Sequence, residues 1–157
     1  FIGNFMHKPN VDAVRSLKNE IWSKIRKGLP KAEIHVYGAY TNQQIEQLHN
    51  EKEGFIIKGF VEDAAQVVGN GKVVLAPLSF GAGIKGKLTE AMLCGTPSIT
   101  TSIGAEGMYD EFPWNGFIED NFADFAIKAK ELYLNKPIWK QAQLNGVTII
   151  NSIYKFI

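Results

Sequence analysis

The hydrophobic residues of this chain alternate between short runs typical of strands and longer patterns typical of helices. Such alternation predicts a parallel sheet with helices packed on both faces. The predicted strands cover residues 1–5, 32–37, 54–61, 72–77, 97–101 and 116–119. The predicted helices begin near residues 10, 41, 64, 84, 122 and 137. The sequence therefore predicts a doubly wound, Rossmann-like α/β fold, which binds ligands at loops outside the carboxyl ends of its strands.

Composition limits this fold to one domain, which we assign to residues 1–157. A hydrophobic content of 45% is enough for one core at this length. The formal charge of +1 gives no general field for nucleic acid, so a bound anion must be held locally. Cys94 is the one cysteine, which excludes an intrachain disulfide and favours a reducing compartment. The chain opens inside a strand-like run without methionine, so we expect a fragment of a longer protein.

The stretch Ser-Phe-Gly-Ala-Gly-Ile-Lys-Gly-Lys at residues 79–87 follows the predicted buried strand 72–77 and opens a helix. Glycines let backbone N–H groups approach an anion, and a helix start adds unpaired N–H groups and a positive dipole end. Lys85 and Lys87 add two cations, and Glu90 lies one turn deeper, where it can accept hydrogen bonds from a sugar. We expect a diphosphate site here. The alternative is that the glycines only pack and that Lys87 and Glu90 form an ordinary helix ion pair.

The same stretch contains a literal Gly-x-Gly-x-x-Gly pattern at residues 81–86. A dinucleotide-binding domain of an oxidoreductase, or a regulatory module that binds NAD, is therefore an alternative function, with Glu106 as the ribose acid. That fingerprint normally follows the first strand, whereas here it follows the fourth. A receiver domain is a third alternative, but residues 4–6, Asn-Phe-Met, lack the acidic cluster expected after the first strand.

Residues 77–101 resemble the donor-binding signature of the family 4 group of GT-B glycosyltransferases, also called glycosyl transferases group 1. The resemblance continues through residues 103–107 and includes upstream segments at 1–5, 9–13, 36–38 and 59–63 in the order of the family. It implies the C-terminal, nucleotide-sugar-binding half of a two-domain enzyme. The N-terminal acceptor domain would be absent, so we expect the fragment alone to be inactive.

The resemblance also implies a set of site residues. Glu90 matches the second glutamate of the Glu-x7-Glu motif, which binds the nucleotide ribose, whereas Ala82 stands where the first glutamate is expected. Lys85 and Lys87 would stabilise the leaving diphosphate, with Lys8 as a further basic candidate. The implied donor-binding residues are Gly3, Lys8, Phe60, Val61, Gly81, Ala82, Gly83, Ile84 and Glu90.

The implied reaction is a retaining transfer from a nucleotide-diphosphate sugar to a glycan or lipid-linked acceptor, as in polysaccharide or glycoconjugate biosynthesis. No Asp-x-Asp motif is present, so we expect metal-independent transfer and no cofactor. His7, His35 and His49 do not have the spacing of a shared metal site. We expect a cytoplasmic enzyme that binds no nucleic acid. Any association with the inner face of a membrane would depend on the missing part.

Overall fold

The computed structural model describes residues 1–154. Five strands are present in this range: β1 (Ile34–Tyr37), β2 (Phe55–Gly59), β3 (Val74–Ala76), β4 (Ser98–Thr100) and β5 (Gly116–Ile118). The helices are α1 (Lys8–Ser16), α2 (Trp22–Gly28), α3 (Gln43–Glu46), α4 (Ala64–Asn70), α5 (Gly86–Leu93), α6 (Ser102–Ala105), α7 (Phe122–Leu134) and α8 (Lys136–Ile153). A π-helical turn, Leu17–Ile21, joins α1 to α2. Strands and helices alternate as the hydrophobic pattern predicts.

All strand pairs are parallel, which confirms the predicted α/β class. The strands form two sheets, with β1 beside β2 and β4 between β3 and β5. The predicted first strand, residues 1–5, is reduced to a single parallel bridge between Ile2 and Tyr37. Its backbone bonds run to the β1 side, and a turn in which the His7 N–H donates to the Asn4 carbonyl (3.2 Å) ends the run. This segment therefore extends the β1 sheet without being a full strand.

Side chains of Asn and Asp begin several of the helices. Asp63 accepts from the Gln66 N–H at 3.1 Å and Asn121 accepts from the Asp124 N–H at 3.0 Å, as the sequence predicts for α4 and α7. The short helix α3, predicted to begin near residue 41, begins at Gln43 and is capped by Asn42. These caps fix where the chain turns from each strand end into the following helix.

One core cluster joins both sheets through α1, α2 and α7, with Leu17, Ile21 and Phe125 fully buried. A second cluster lies between α5 and α8 and includes Leu88 and Ile149. The sequence predicted an inward face of α8 made of Trp139, Leu144, Val147, Ile150 and Tyr154.

The inward face of α8 differs from that prediction at Leu144 and Val147, whereas Trp139, Ile150 and Tyr154 are partly buried and pack against the core clusters as predicted. Leu144 is 54% exposed and Val147 is 44% exposed, whereas Ala142, Gly146 and Ile149 are buried. Gly146 allows close packing, since a Cβ added there would lie 3.1 Å from the Asn115 Cβ. Small residues thus replace large ones where α8 approaches the rest of the domain.

Because all the strands are parallel, their carboxyl ends lie at the same edge of each sheet. Helix α1 starts at this edge after residues 1–5, and α5 starts there after β3. The loops at this edge contain the residues that the sequence assigns to the donor site, except Lys8, the first residue of α1, and Glu90, the fifth residue of α5.

Candidate functional site

The loop between β3 and α5, residues 77–85, forms an open turn on the surface. Gly81 and Gly83 have φ values of +119° and +82°, which side-chain-bearing residues rarely adopt. The segment from Gly81 to Ile84 is exposed, and a Cβ added to Gly83 would meet nothing within 4 Å. The glycine-rich loop therefore presents its backbone to solvent, where an anion can approach it.

Helix α5 begins at Gly86, two residues later than predicted, and Lys85 is its N-cap residue. Lys85 makes no side-chain capping bond, and its carbonyl accepts from the N–H groups of Leu88 (3.0 Å) and Thr89 (3.3 Å). The N–H groups of Gly86 and Lys87 precede these bonds, so the helix itself does not satisfy them. They remain available to a negatively charged ligand.

Lys87 lies on the first turn of α5 and reaches across to α1. Its Nζ donates to Asn10 Oδ1 at 2.9 Å and lies 5.3 Å from the centroid of the Phe1 ring. Burial, and to a smaller extent the neighbouring positive charge of Lys85, together lower the pKa of Lys87 from 10.5 to about 8. A partly desolvated ammonium next to unpaired N–H groups gains strongly from an anionic partner.

Asn10 is the residue that positions Lys87, and it is itself buried. Its Nδ2 donates to the Asn4 carbonyl at 2.9 Å. Gly3 makes room for it, since a Cβ added to Gly3 would lie 2.7 Å from Asn10 Cγ. The structure therefore places Gly3, a predicted donor-binding residue, behind Asn10. The sequence pointed to Asn10 only as a helix start and as part of the family-like segment 9–13.

Lys85 has surroundings unlike those of Lys87. Its Nζ lies 2.6 Å from the Gly83 carbonyl, 3.4 Å from that of Ile103 and 3.5 Å from that of Gly81. Ile103 belongs to α6, after β4. Lys85 is thus directed back into its own loop and towards α6, a contact that the sequence did not indicate.

Glu90 is partly buried, one turn into α5. Its Oε1 is 4.0 Å from the Cys94 Sγ, and within residues 1–154 it forms no ion pair with Lys87. The alternative that these two residues form a helix ion pair is therefore not realised. Burial raises the pKa of the Cys94 thiol, with smaller contributions from Glu90 and Asp63, so this partly exposed thiol stays protonated.

The other predicted residues lie at the same edge without contacting the glycine-rich loop directly. Lys8 is exposed at the start of α1, Phe60 is 71% exposed just after β2, and Val61 is partly buried beside it. Exposed apolar side chains are frequent here and also include Met6, Tyr40, Phe80 and Ile84. This edge therefore offers both a cationic loop and apolar surface.

A cavity and a groove of this domain lie away from the glycine-rich loop. A cavity of about 630 Å³ lies between β1 and β3, and a groove of about 660 Å³ runs beside α2, but no predicted donor-binding residue lines either. The glycine-rich loop lies on open surface, so its chemical groups, rather than a cavity, identify it as the candidate site. In the part of the chain that the structure describes, no cluster of His, Cys, Asp and Glu has the arrangement of a metal site.

The family model for glycosyl transferases group 1 matches residues 1–135. The chain belongs to this family. Comparison with curated protein sequences finds no match. The match covers the glycine-rich loop, Asn10 and Glu90, so the residues described above lie within the region shared with this glycosyltransferase family.

Solved structures of glycosyltransferases share the fold of this family member. An S. aureus TarM variant, solved in a complex with UDP, is 17% identical with a TM-score of 0.79, and the match covers 98% of this chain and 31% of TarM. The pneumococcal O-GlcNAc transferase GtfA, solved with UDP and GlcNAc, is 17% identical with a TM-score of 0.66, over 99% of this chain and 34% of GtfA. A C-terminal domain of a group 1 glycosyltransferase from Francisella tularensis is 21% identical with a TM-score of 0.61, over 92% of this chain and 76% of that domain.

The chain thus has the fold of the C-terminal, Rossmann-like domain of GT-B glycosyltransferases and spans about a third of the length of TarM and GtfA. Within residues 1–154, no helix of this glycosyltransferase domain is long and apolar enough to cross a membrane.

Proposed function

We propose that this domain binds the nucleotide-diphosphate sugar donor of a retaining glycosyltransferase. The observation that carries the proposal is the partly desolvated Lys87 ammonium beside the uncapped start of α5 and the open glycine-rich loop. UDP is the preferred nucleotide, because TarM and GtfA were both solved with it. The NAD-binding alternative rests only on the literal glycine pattern, and no contact in the described residues favours it.

The reaction requires the chemistry that this loop supplies. When the bond between the anomeric carbon and the phosphate oxygen breaks, positive charge grows on the sugar and negative charge on the leaving diphosphate. The Lys87 ammonium and the N–H groups of Gly86 and Lys87 are oriented before the reaction, so they stabilise that negative charge without reorganisation. We assign leaving-group stabilisation to these groups and expect no metal to be needed.

Glu90 is proposed to bind the ribose. It follows the phosphate-binding turn by one helical turn, and it makes no ion pair that would have to break first. A carboxylate can accept hydrogen bonds from both ribose hydroxyl groups. Ala82 provides no carboxylate for the donor sugar, so we assign sugar contacts to the exposed backbone of residues 82–84.

The remaining parts of the reaction are proposed to depend on a second domain. Apolar side chains at the carboxyl edge, among them Phe60 and Ile84, would line the cleft between the two domains. The acceptor, a glycan or a lipid-linked glycan, would bind to that second domain. We expect this chain alone to bind a nucleoside diphosphate weakly and to transfer no sugar, because closure over the donor is missing. We propose a role in polysaccharide or glycoconjugate synthesis, on the cytoplasmic side of the cell.

The test is a calorimetric titration of the domain with UDP, GDP, ADP, CMP and NAD, with ¹⁵N amide shifts recorded in parallel. We expect saturable binding of UDP, with the largest shifts at Gly83, Gly86 and Lys87. A matched control is uridine, which lacks both phosphates and should bind more weakly. Saturable NAD binding without a response to any nucleoside diphosphate would reverse the assignment.

A further inference from the structure

Lys85 and Lys87 are only two residues apart in the sequence, but they contact different partners. Lys85 Nζ lies near three carbonyl oxygens, those of Gly83 (2.6 Å), Ile103 (3.4 Å) and Gly81 (3.5 Å). An ammonium group has three N–H donors and no acceptor. All three donors of Lys85 therefore have a carbonyl partner in the ligand-free domain.

Lys87 uses fewer of its N–H donors than Lys85 does. It donates to one acceptor, Asn10 Oδ1, while its remaining contact is the Phe1 ring. Two of its N–H donors are therefore left for a ligand. A phosphate that recruited Lys85 would first have to break contacts with carbonyl groups, whereas Lys87 can bind it without losing Asn10.

Lys85 also connects two loops that follow different strands. Gly81 and Gly83 follow β3, and Ile103 lies in α6 after β4. Helix α6 is itself held in place, because Asp120 accepts from the Ser102 N–H at 2.8 Å and from its hydroxyl at 2.6 Å. The ammonium of Lys85 thus links the glycine-rich loop to a fixed part of the domain.

The loop has little else to hold its shape. The segment from Gly81 to Ile84 is exposed, and neither Gly83 nor Gly86 has an atom within 4 Å of where a Cβ would lie. A chain of small, exposed residues has high conformational entropy unless specific bonds restrict it. Within residues 1–154, the hydrogen bonds from Lys85 are the side-chain bonds that restrain the exposed part of the loop, residues 81–84, whereas Leu78 at its start is held by the Thr101 hydroxyl.

We infer that Lys85 is a positioning residue, which holds the glycine-rich loop in its binding shape while Lys87 supplies the charge that contacts the phosphate. The inference rests on the proposed function for its ligand, a nucleoside diphosphate. The bridge from Lys85 to the carbonyl groups of Gly83 and Ile103 belongs to the ligand-free domain, so it can be tested without any ligand.

The experiment compares Lys85→Met with Lys87→Met, a matched change on the same loop. In the ligand-free domain, ¹⁵N backbone order parameters of residues 82–84 should fall below about 0.6 in Lys85→Met and stay near wild type in Lys87→Met. Unchanged amide shifts in α7 would show that both variants are folded. UDP at saturation should restore the order of residues 82–84 in Lys85→Met, with an affinity about five- to tenfold weaker than wild type.

Wild-type order parameters in Lys85→Met, together with a loss of UDP affinity as large as in Lys87→Met, would overturn the inference and make Lys85 a phosphate ligand. That result would leave the proposed function standing. If the wild-type domain binds no nucleoside diphosphate, the proposed function fails, while the effect of Lys85→Met on the ligand-free domain still tests whether Lys85 holds the loop. The ligand-free order parameters distinguish these two failures.

Discussion

Replacing Lys87 with methionine should stabilise the folded domain at neutral pH while weakening its binding of a nucleoside diphosphate. The pKa of Lys87 is lowered from 10.5 to about 8, first by burial and then by the charge of Lys85. The difference of about 2.5, at about 1.36 kcal/mol per pKa unit, corresponds to about 3 kcal/mol of destabilisation by the charged form. Methionine keeps an apolar stem but leaves Asn10 Oδ1 without its donor, at a cost of about 1 kcal/mol. The variant should therefore gain about 2 kcal/mol in free energy of unfolding at pH 7.

The stability gained in Lys87→Met should decrease as the pH rises. Because the pKa of Lys87 is lower in the folded state, the unfolded chain holds more protons between pH 8 and pH 10.5. The stability of the wild-type domain therefore rises through this window relative to that of Lys87→Met. The advantage of the variant should be full below pH 8 and should shrink steadily above it.

The assay is urea unfolding of both proteins at pH 7, 8.5 and 9.5, followed by tryptophan fluorescence and circular dichroism. Calorimetric titration with UDP at pH 7 completes it and should show a loss of about ten- to hundredfold, the range for one hydrogen bond between charged groups. A variant that is less stable than wild type at pH 7, with a difference that does not change with pH, would refute the burial argument. Unchanged UDP affinity in a folded variant would refute the role of Lys87 in binding.

Three further predictions concern other parts of the site. Glu90→Gln should leave the fold intact but cost on the order of 1.5–3 kcal/mol of UDP affinity, because the amide loses the charge and replaces one of the two acceptor oxygens with an NH2 donor; a dideoxyribose analogue should bind both proteins equally poorly, and equal UDP affinity would remove Glu90 from the site. Gly3→Ala should reduce UDP affinity more than uridine affinity, because its Cβ would press on the Asn10 side chain that holds Lys87; equal losses would indicate general unfolding. Addition of EDTA should leave UDP affinity unchanged in calorimetry, since the proposed counter-charge belongs to the protein, and a large loss would point to a required divalent cation.

The alternation of strands and helices could be read from the sequence because each element buries a face that its own residues encode. Strand β3 is buried throughout, and Asp63 and Asn121 cap their helices through bonds to residues three positions away. Such features are local. The prediction for residues 1–5 was too strong because a hydrophobic run does not show how many neighbours will pair with it.

The prediction for the inward face of α8 was wrong at Leu144 and Val147 for a related reason. Periodicity favours the large apolar residues Leu144 and Val147, yet close packing against Asn115 selects the face that contains Gly146. The space available depends on residues from other parts of the chain, here Asn115 before β5, which the sequence of α8 does not contain. Small residues can form the buried side of a helix when its partner lies near.

The sequence predicted which residues belong to the candidate site but not which residues from other loops they contact. Lys85 and Lys87 look equivalent in the sequence, since both flank Gly86 after a buried strand. Their different roles arise from Ile103 and Asn10, which come from other loops. No pattern within residues 79–90 indicates which lysine turns inward to the carbonyl groups and which crosses to α1.

The bond between Lys87 and Asn10 joins residues 77 positions apart in the chain. Contacts of that separation form only after much of the intervening chain is arranged, since the long loop between them must close first. The proposed phosphate-binding arrangement therefore cannot exist in a partly folded chain that has built only α1 or only α5. A ligand that depends on it binds the native state alone and shifts the folding equilibrium towards that state by mass action. In a cell, the concentration of the nucleotide sugar would thus affect how long newly made chains remain susceptible to proteolysis, as well as the rate of the proposed transfer.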